Sequence, residues 1–272
     1  MSLKKLAQQV KKEQKEASKT FEEHFIEALD KFIVDKAKEA QEEGHRKAHN
    51  PSSFYKCVRK KWYELLDFPQ KYKPKGARLE RVLEIGTVTH EWIQERVLME
   101  MDKLEDSPIR LIPKEELPSY GQEGFEVVTN KTAPPMEIKF LDYRYTRLFP
   151  ISAQVDGALR FMSKDCIFEF KTMKSQQFQL LIEVPPEYKK QGAMYSLCTG
   201  LRYVLYLFIN KDTQEFKAYL VEFDERAHEW VRSRLNTLED YVEQGKLPPK
   251  EESQDCRYCP FKSLCENDVS SI

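Results

Sequence analysis

The sequence lacks any run of about 18 apolar residues, the length that crosses the hydrocarbon core of a bilayer. Its first residues, Met1-Ser2-Leu3-Lys4-Lys5, lead into a charged amphipathic segment and not into the apolar core of a signal peptide. The expectation is a cytoplasmic protein with no membrane partner. Net charge is also missing: 44 basic residues face 45 acidic ones, for a formal charge of −1. Overall charge therefore makes no case for nucleic acid. There is no internal repeat, no Walker-type phosphate loop and no G-x-G-x-x-G, which argues against a helicase motor or a dinucleotide site. Nor are the six cysteines spread as a secreted disulfide framework would need. Three of them, Cys256, Cys259 and Cys265, crowd into the last seventeen residues, a spacing that suits a metal.

What is present is ordinary for a globular chain. The 272 residues, 40% hydrophobic and 33% charged, are enough for one large domain or two small ones with a real core. Residues 3–45 read as one long helix or two consecutive ones, with Phe21, Phe25, Leu29, Phe32 and Ile33 at helical spacing among many Glu and Lys. That stripe is a packing face, against the body of the protein or another subunit. Residues 1–49 are thus set apart as a charged helical extension, with residues 50–272 as the main domain.

Asn50-Pro51-Ser52-Ser53 supplies a helix start, capped by Ser52 or Ser53, for a helix from about Phe54 to Leu66 that carries Cys57. A Pro/Lys/Gly loop from Pro69 to Gly76 separates it from a longer helix, about Ala77 to Leu104. Nine basic residues lie between Lys56 and Arg81, interleaved with Tyr55, Trp62, Tyr63, Phe68 and Tyr72. Such a patch could track a phosphate backbone and stack bases, or be a solvated helix face with core aromatics. Farther on, Phe125–Val128, Met136–Phe140, Ile151–Ala158 and Cys166–Lys171 have strand composition. A helical stretch from Ser175 to Glu183 is broken by Pro185-Pro186, and a helix follows from Glu187 to about Cys198. Tyr203–Ile209 and Glu215–Val221 form a hairpin, and Asp224 caps a helix over about 225–245. The order predicts an α/β (α+β) fold with a central mixed sheet flanked by helices.

The chemistry-bearing pattern is Asp156 followed by Glu169-Phe170-Lys171. Two paired strands can bring both carboxylates to one place, while alternation puts Glu169 and Lys171 on one face and Phe170 in the core. Two carboxylates offer hard oxygen ligands to Mg2+ or Mn2+, which polarises a phosphate and activates water. Lys171 is placed to orient that water, help deprotonate it or stabilise the transition state. The same pattern also arises as surface charge flanking a strand. Gly86 and His90 share a helix face four residues apart, with His90 a candidate metal ligand and Gly86 a point of close approach. Gln191 and Tyr195 form a second such pair, able to bind a phosphate or hold Lys171. Among the cysteines, C-x2-C-x5-C supplies three thiolates and needs a fourth, for which Cys57 is the candidate. Cys166 and Cys198 sit in apolar sequence and read as core. Spacing alone leaves zinc and iron–sulfur both open.

Taken in order, Cys57, Gly86-x3-His90, Asp156-Gly157, Glu169-Phe170-Lys171, Gln191-x3-Tyr195 and Cys256-x2-Cys259-x5-Cys265 resemble the RecB-like PD-(D/E)xK nucleases with an iron–sulfur staple. The pattern is similar to the stand-alone exonuclease of the CRISPR adaptation machinery, its phage relatives and the AddB nuclease domain, over about residues 50–268. The resemblance implies a restriction-endonuclease-like core and a metal-dependent exonuclease acting on single-stranded DNA, commonly from the 5′ end. It implies that His90, Asp156, Glu169 and the Phe170 carbonyl ligate Mg2+ or Mn2+, that Lys171 is the catalytic lysine, and that Gln191 and Tyr195 are its auxiliary pair. Cys57, Cys256, Cys259 and Cys265 would hold a structural [4Fe–4S] cluster, with Zn2+ as the alternative. The setting implied is a bacterial, archaeal or phage-infected cytoplasm. Residues 1–49 lie outside that family pattern and are a candidate surface for a homo-oligomer or a replication, recombination or CRISPR partner. Two other readings remain: a structure-specific endonuclease using the same centre, and a non-catalytic iron–sulfur or zinc DNA-binding subunit.

Overall fold

The computed structural model describes residues 5, 19–41, 47–70, 76–129 and 134–267. Most of the expected helix over residues 3–20, the segment 42–46 and most of the Pro/Lys/Gly loop, with Tyr72, lie outside the described residues. The chain divides into two compact units. One comprises residues 1–45 and 73–85, the other residues 46–72 and 86–272.

In the first unit, helix α1 spans Phe21–Gln41. Thr20 begins it with a reciprocal cap: the Glu23 N–H donates to Thr20 Oγ1 at 3.3 Å, and the Thr20 N–H donates to a Glu23 carboxylate oxygen at 2.9 Å. The apolar stripe is on this helix as the spacing predicts, and its Phe21, Phe25, Leu29 and Phe32 are exposed. Arg81, near the start of α3 (Ala77–Glu91), pairs with Asp30 of α1.

In the second unit, α2 (Val58–Leu65) starts four residues later than Phe54, after a run of turns. Cys57, and neither Ser52 nor Ser53, stands at its N-cap position, with no side-chain cap bond. The α3 helix continues through a π-helical turn, Trp92–Leu98, into α4, Met99–Asp102. The strands are β1 (Ile109–Leu111), β2 (Phe125–Val128), β3 (Ile138–Asp142), β4 (Ile151–Val155), β5 (Gly157–Phe161), β6 (Lys164–Met173), β7 (Tyr203–Asn210) and β8 (Phe216–Glu222). Between β6 and β7 lie α5 (Ser175–Gln179) and α6 (Pro186–Thr199). After β8 come α7 (Glu225–Glu243) and the short α8 (Lys262–Asn267). A five-stranded sheet has the order β1-β5-β6-β7-β8, with β6 and β7 parallel and the other pairs antiparallel. A three-stranded antiparallel sheet has the order β2-β3-β4. The mixed sheet flanked by helices is the architecture the sequence predicts. One expected strand is two: Ile151–Ala158 breaks at Asp156, where the chain leaves the small sheet and enters the large one.

Helix boundaries follow local chemistry. Pro186 occupies the first turn of α6, where a missing N–H costs nothing, and Gly200 ends it with φ of 78°. The Asp224 side chain accepts the Ala227 N–H at 3.0 Å and starts α7 as expected. Gly192 lets α6 lie against the sheet, since a Cβ there would meet the Tyr206 hydroxyl at 2.0 Å.

β6 is buried on both faces. Cys166, Phe168 and Phe170 pack with Ile93 and Leu98, while Ile167 joins a larger core with Phe140, Ile151, Tyr206, Phe208 and Val231. Each such apolar side chain contributes about 1.5–3 kcal/mol by leaving water, so the register of β6 is strongly fixed. A third cluster joins Trp62, Tyr63 and Leu65 of α2 to Leu238 and Phe261. Three aromatics of the basic stretch are therefore structural: Trp62 and Tyr63 are buried, and Tyr63 stacks on Phe261 with centroids 5.2 Å apart while Phe68 closes on both Trp62 and Tyr63. Two of its cations, Arg59 and Lys61, are buried as well. Trp62, Tyr63, Phe68, Arg59 and Lys61 form a packing face, while Lys71, Tyr72, Lys73 and Lys75 lie outside the described residues.

Candidate active site

Asp156 occupies the step between β4 and β5. The β5–β6 register pairs Gly157 with Phe168, which carries Asp156 to the neighbourhood of Glu169. Its Oδ2 accepts the Phe170 N–H at 2.7 Å and lies 3.5 Å from His90 Nδ1. Strand alternation places Glu169 and Lys171 together, and the Lys171 ammonium donates to Glu169 Oε1. Phe170 is fully buried, with the His90 ring edge-on to it at 4.9 Å between centroids. His90, Asp156, Glu169, Phe170 and Lys171 thus meet in one place.

Gln191 meets Glu169, and Tyr195 is joined to it through Gln191. The Gln191 amide donates to Glu169 Oε1 at 3.1 Å and to the Tyr195 hydroxyl at 2.7 Å. Tyr195 donates in turn to the Gln154 carbonyl at 2.9 Å, tying α6 to β4 just before Asp156. Both side chains are buried, and Gln191 is the one that holds the carboxylate oxygen. Gly86 is not needed for strand packing: a Cβ there would meet only Thr172 Oγ1, at the ordinary contact distance of 3.8 Å.

Burial pushes the Glu169 carboxyl up to about 7, with Asp156 adding to the rise and Lys171 and His90 opposing it. For Lys171, burial alone would depress the ammonium, but Glu169 and Asp156 reverse the effect and hold its pKa above the ordinary lysine value. The lysine therefore keeps its proton.

Two residues escaped the sequence reading. Gln94 is completely buried in the π-helical turn. Its amide donates to the Asp156 carbonyl at 2.7 Å and to Glu137 at 3.3 Å. Glu137 also accepts from Gln154, and its carboxyl is raised by burial, with the Asp156 charge adding. Gln94 lies four residues beyond His90, so helical spacing was a usable signal for it. Glu137 follows a proline pair with no recognisable pattern.

Residues 49–266 match the family model of the PD-(D/E)XK nuclease superfamily. The chain belongs to that superfamily. Its members generally use divalent metal ions, and the donor set here suits one: Glu169 Oε2 is buried with no hydrogen-bond partner, beside a second carboxylate and an imidazole. Among the described residues no three His, Cys, Asp or Glu side chains stand in a ready-made coordination group. No curated protein matches the sequence. Among solved structures, the chain is similar to SSO0001 at 13% identity and TM-score 0.47, over 89% of this chain and 96% of that one. It is also similar to the alkaline exonuclease LHK-Exo from Laribacter hongkongensis at 14% identity and TM-score 0.46, over 73% of this chain and 89% of that one.

The superfamily match extends through the cysteine run. Cys57, Cys256, Cys259 and Cys265 all line one cavity of about 980 Å³, although Cys57 is far from the other three in sequence. All four are half-buried, whereas Cys166 and Cys198 are core residues, as expected. Arg59 ties the two segments together: it donates to the Pro248 carbonyl at 2.6 Å and approaches Cys265 Sγ at 3.8 Å. Burial raises the Cys259 thiol, with Cys256 and Cys265 adding to the rise. The four thiols share this cavity, but no three of them stand in a ready-made coordination group. Among the described residues, no helix is long and apolar enough to cross a membrane.

Proposed function

We propose that this member of a nuclease superfamily is a metal-dependent deoxyribonuclease of the RecB-like group that degrades single-stranded DNA as an exonuclease. The observation that carries the reading is the meeting of Asp156, Glu169, Lys171 and His90 around a buried, unpartnered carboxylate oxygen. In this reading Asp156, Glu169, His90 and the Phe170 carbonyl hold Mg2+ or Mn2+, which supplies Lewis-acid polarisation of the phosphate. Lys171, protonated against Glu169, stabilises negative charge developing on the phosphate oxygens. Gln191 and Tyr195 fix the Glu169 carboxylate, and Gln94 fixes the turn that carries Asp156. A 5′-to-3′ polarity and the bacterial, archaeal or phage setting rest on the family resemblance.

Cys57, Cys256, Cys259 and Cys265 hold a structural [4Fe–4S] cluster in the same reading, supported by their common cavity. Zn2+ is the alternative, and visible absorbance of the purified protein separates the two. The exposed apolar side chains of α1 support a protein-contact role for residues 1–49.

The test is incubation of end-labelled single-stranded DNA with purified protein in Mn2+, in Mg2+ and in EDTA, beside Asp156→Ala. Metal-dependent degradation that the variant loses is the expected result. Intact circular single strands in the same assay mark an exonuclease, and their cleavage an endonuclease. The one other reading is a non-catalytic iron–sulfur or zinc DNA-binding subunit. That reading prevails if folded, metal-supplied protein binds DNA and cleaves none.

A further inference from the structure

We propose that Tyr55, Lys190 and Trp230 form a stacking site for the bases of single-stranded DNA beside the carboxylate centre. The inference rests on the nuclease reading and adds a place for the substrate strand.

Trp230, on α7, is 40% exposed although it is among the largest apolar side chains in the chain. Its indole is not loose. The buried Phe54 ring meets it at 5.6 Å between centroids and meets the Tyr55 ring at 5.7 Å, nearly edge-on. One core side chain thus fixes two surface aromatics. The Lys190 ammonium lies 5.5 Å from the Tyr55 centroid and 6.0 Å from that of Trp230. Cation–π attraction of this kind holds the rings and the lysine as a unit.

The unit is linked to the catalytic lysine through one turn of α6. Two residues before Lys190, the Tyr188 ring receives the Lys171 ammonium at 5.2 Å from its centroid. Charge here is mixed: Arg226 flanks Trp230 one turn away on α7, but Glu187 and Glu229 are exposed nearby. Such a balance does not make a phosphate clamp. Rigid aromatic surface beside a lysine ammonium suits bases, because every base offers a π-face and stacking tolerates any sequence.

The test measures binding of the full-length protein in EDTA, where hydrolysis is stopped. Fluorescence anisotropy compares a labelled oligothymidine with an abasic strand of equal length. Wild type is expected to prefer the base-bearing strand. Trp230→Ala weakens that strand by about 5- to 150-fold, the range for loss of one stacked base, and hardly changes the abasic one, while Trp230→Phe retains most of the affinity. Lys190→Ala, an exposed change that spares the core, weakens the base-bearing strand and hardly changes the abasic one, because the cation–π contact that holds the two rings is lost. Equal binding of the two strands by wild type, or wild-type affinity in a folded Trp230→Ala, overturns the site. Should Trp230→Ala unfold, the strand comparison in wild type and Lys190→Ala still decides. If wild type binds bases selectively but never cleaves with Mn2+, the nuclease reading fails and the stacking site stands. If wild type cleaves but is indifferent to bases, the stacking site fails and the nuclease reading stands.

Discussion

At the carboxylate centre, the Phe170 N–H that meets Asp156 is only 14 residues away in sequence. At the cysteine cavity, Arg59 reaches Cys265 across 206 residues. The first site is made by a strand step and a hairpin register, then locked by buried hydrogen bonds from Gln94, Gln191 and Tyr195. The second depends on α2 and the C-terminal segment finding each other through Tyr63 and Phe261, and its thiols remain half-buried. A preorganised polar site needs little reorganisation when charge develops. In the proposed reading the long-range thiol set, in contrast, is completed by the cluster or zinc it holds, and that binding energy becomes folding energy.

Changes at the two sites should therefore separate catalysis from stability. The largest effect on cleavage is expected from Lys171→Ala, which should lower kcat by about 10²–10⁴-fold while Mn2+ binding, followed by calorimetry, persists. A wild-type kcat in that variant would remove the lysine from the chemistry. Next comes Gln94→Leu, which deletes the donor to the Asp156 carbonyl. It should raise the Mn2+ concentration for half-maximal cleavage by about 10–100-fold, as outer-shell losses do, and an unchanged metal requirement would leave Gln94 a packing residue.

A smaller effect follows from pH. Burial lifts Glu169 from 4.5 to about 7, so the metal-free folded protein holds that proton more tightly than the unfolded chain. Its contribution to stability is greatest below pH 4.5 and declines as pH rises toward about 7. Metal binding needs the ionised form, so cleavage at subsaturating Mn2+ should fall about tenfold per unit below the midpoint. More Mn2+ should move that midpoint to lower pH, and rate–pH profiles at two concentrations check it; a midpoint indifferent to Mn2+ would take Glu169 out of the metal site.

The smallest change in cleavage is expected from Cys57→Ala. In the cold it should cut DNA nearly as wild type does, yet lose visible absorbance and melt lower by about 2–4 °C for each kcal/mol of staple energy lost. Cleavage lost in the cold from a folded variant would make the cysteine site part of the catalytic apparatus and dissolve the contrast.

The sequence by itself determined the elements and the polar pairs within them. Glu169 and Lys171 were legible together because a strand repeats every two residues, and Gln191 with Tyr195 because a helix repeats every three or four. Cys57 could be grouped with the C-terminal cysteines because thiols are rare and easily counted. Tertiary structure alone decided that β4 and β5 part at Asp156, that Glu137 and Gln94 stand behind it, and that Trp62 and Tyr63 are core while Tyr55 and Trp230 share a lysine. The reason is that burial and cross-chain hydrogen bonds depend on which surfaces meet. Local periodicity gives the direction of a side chain from its own backbone but carries no record of the distant residue it will face.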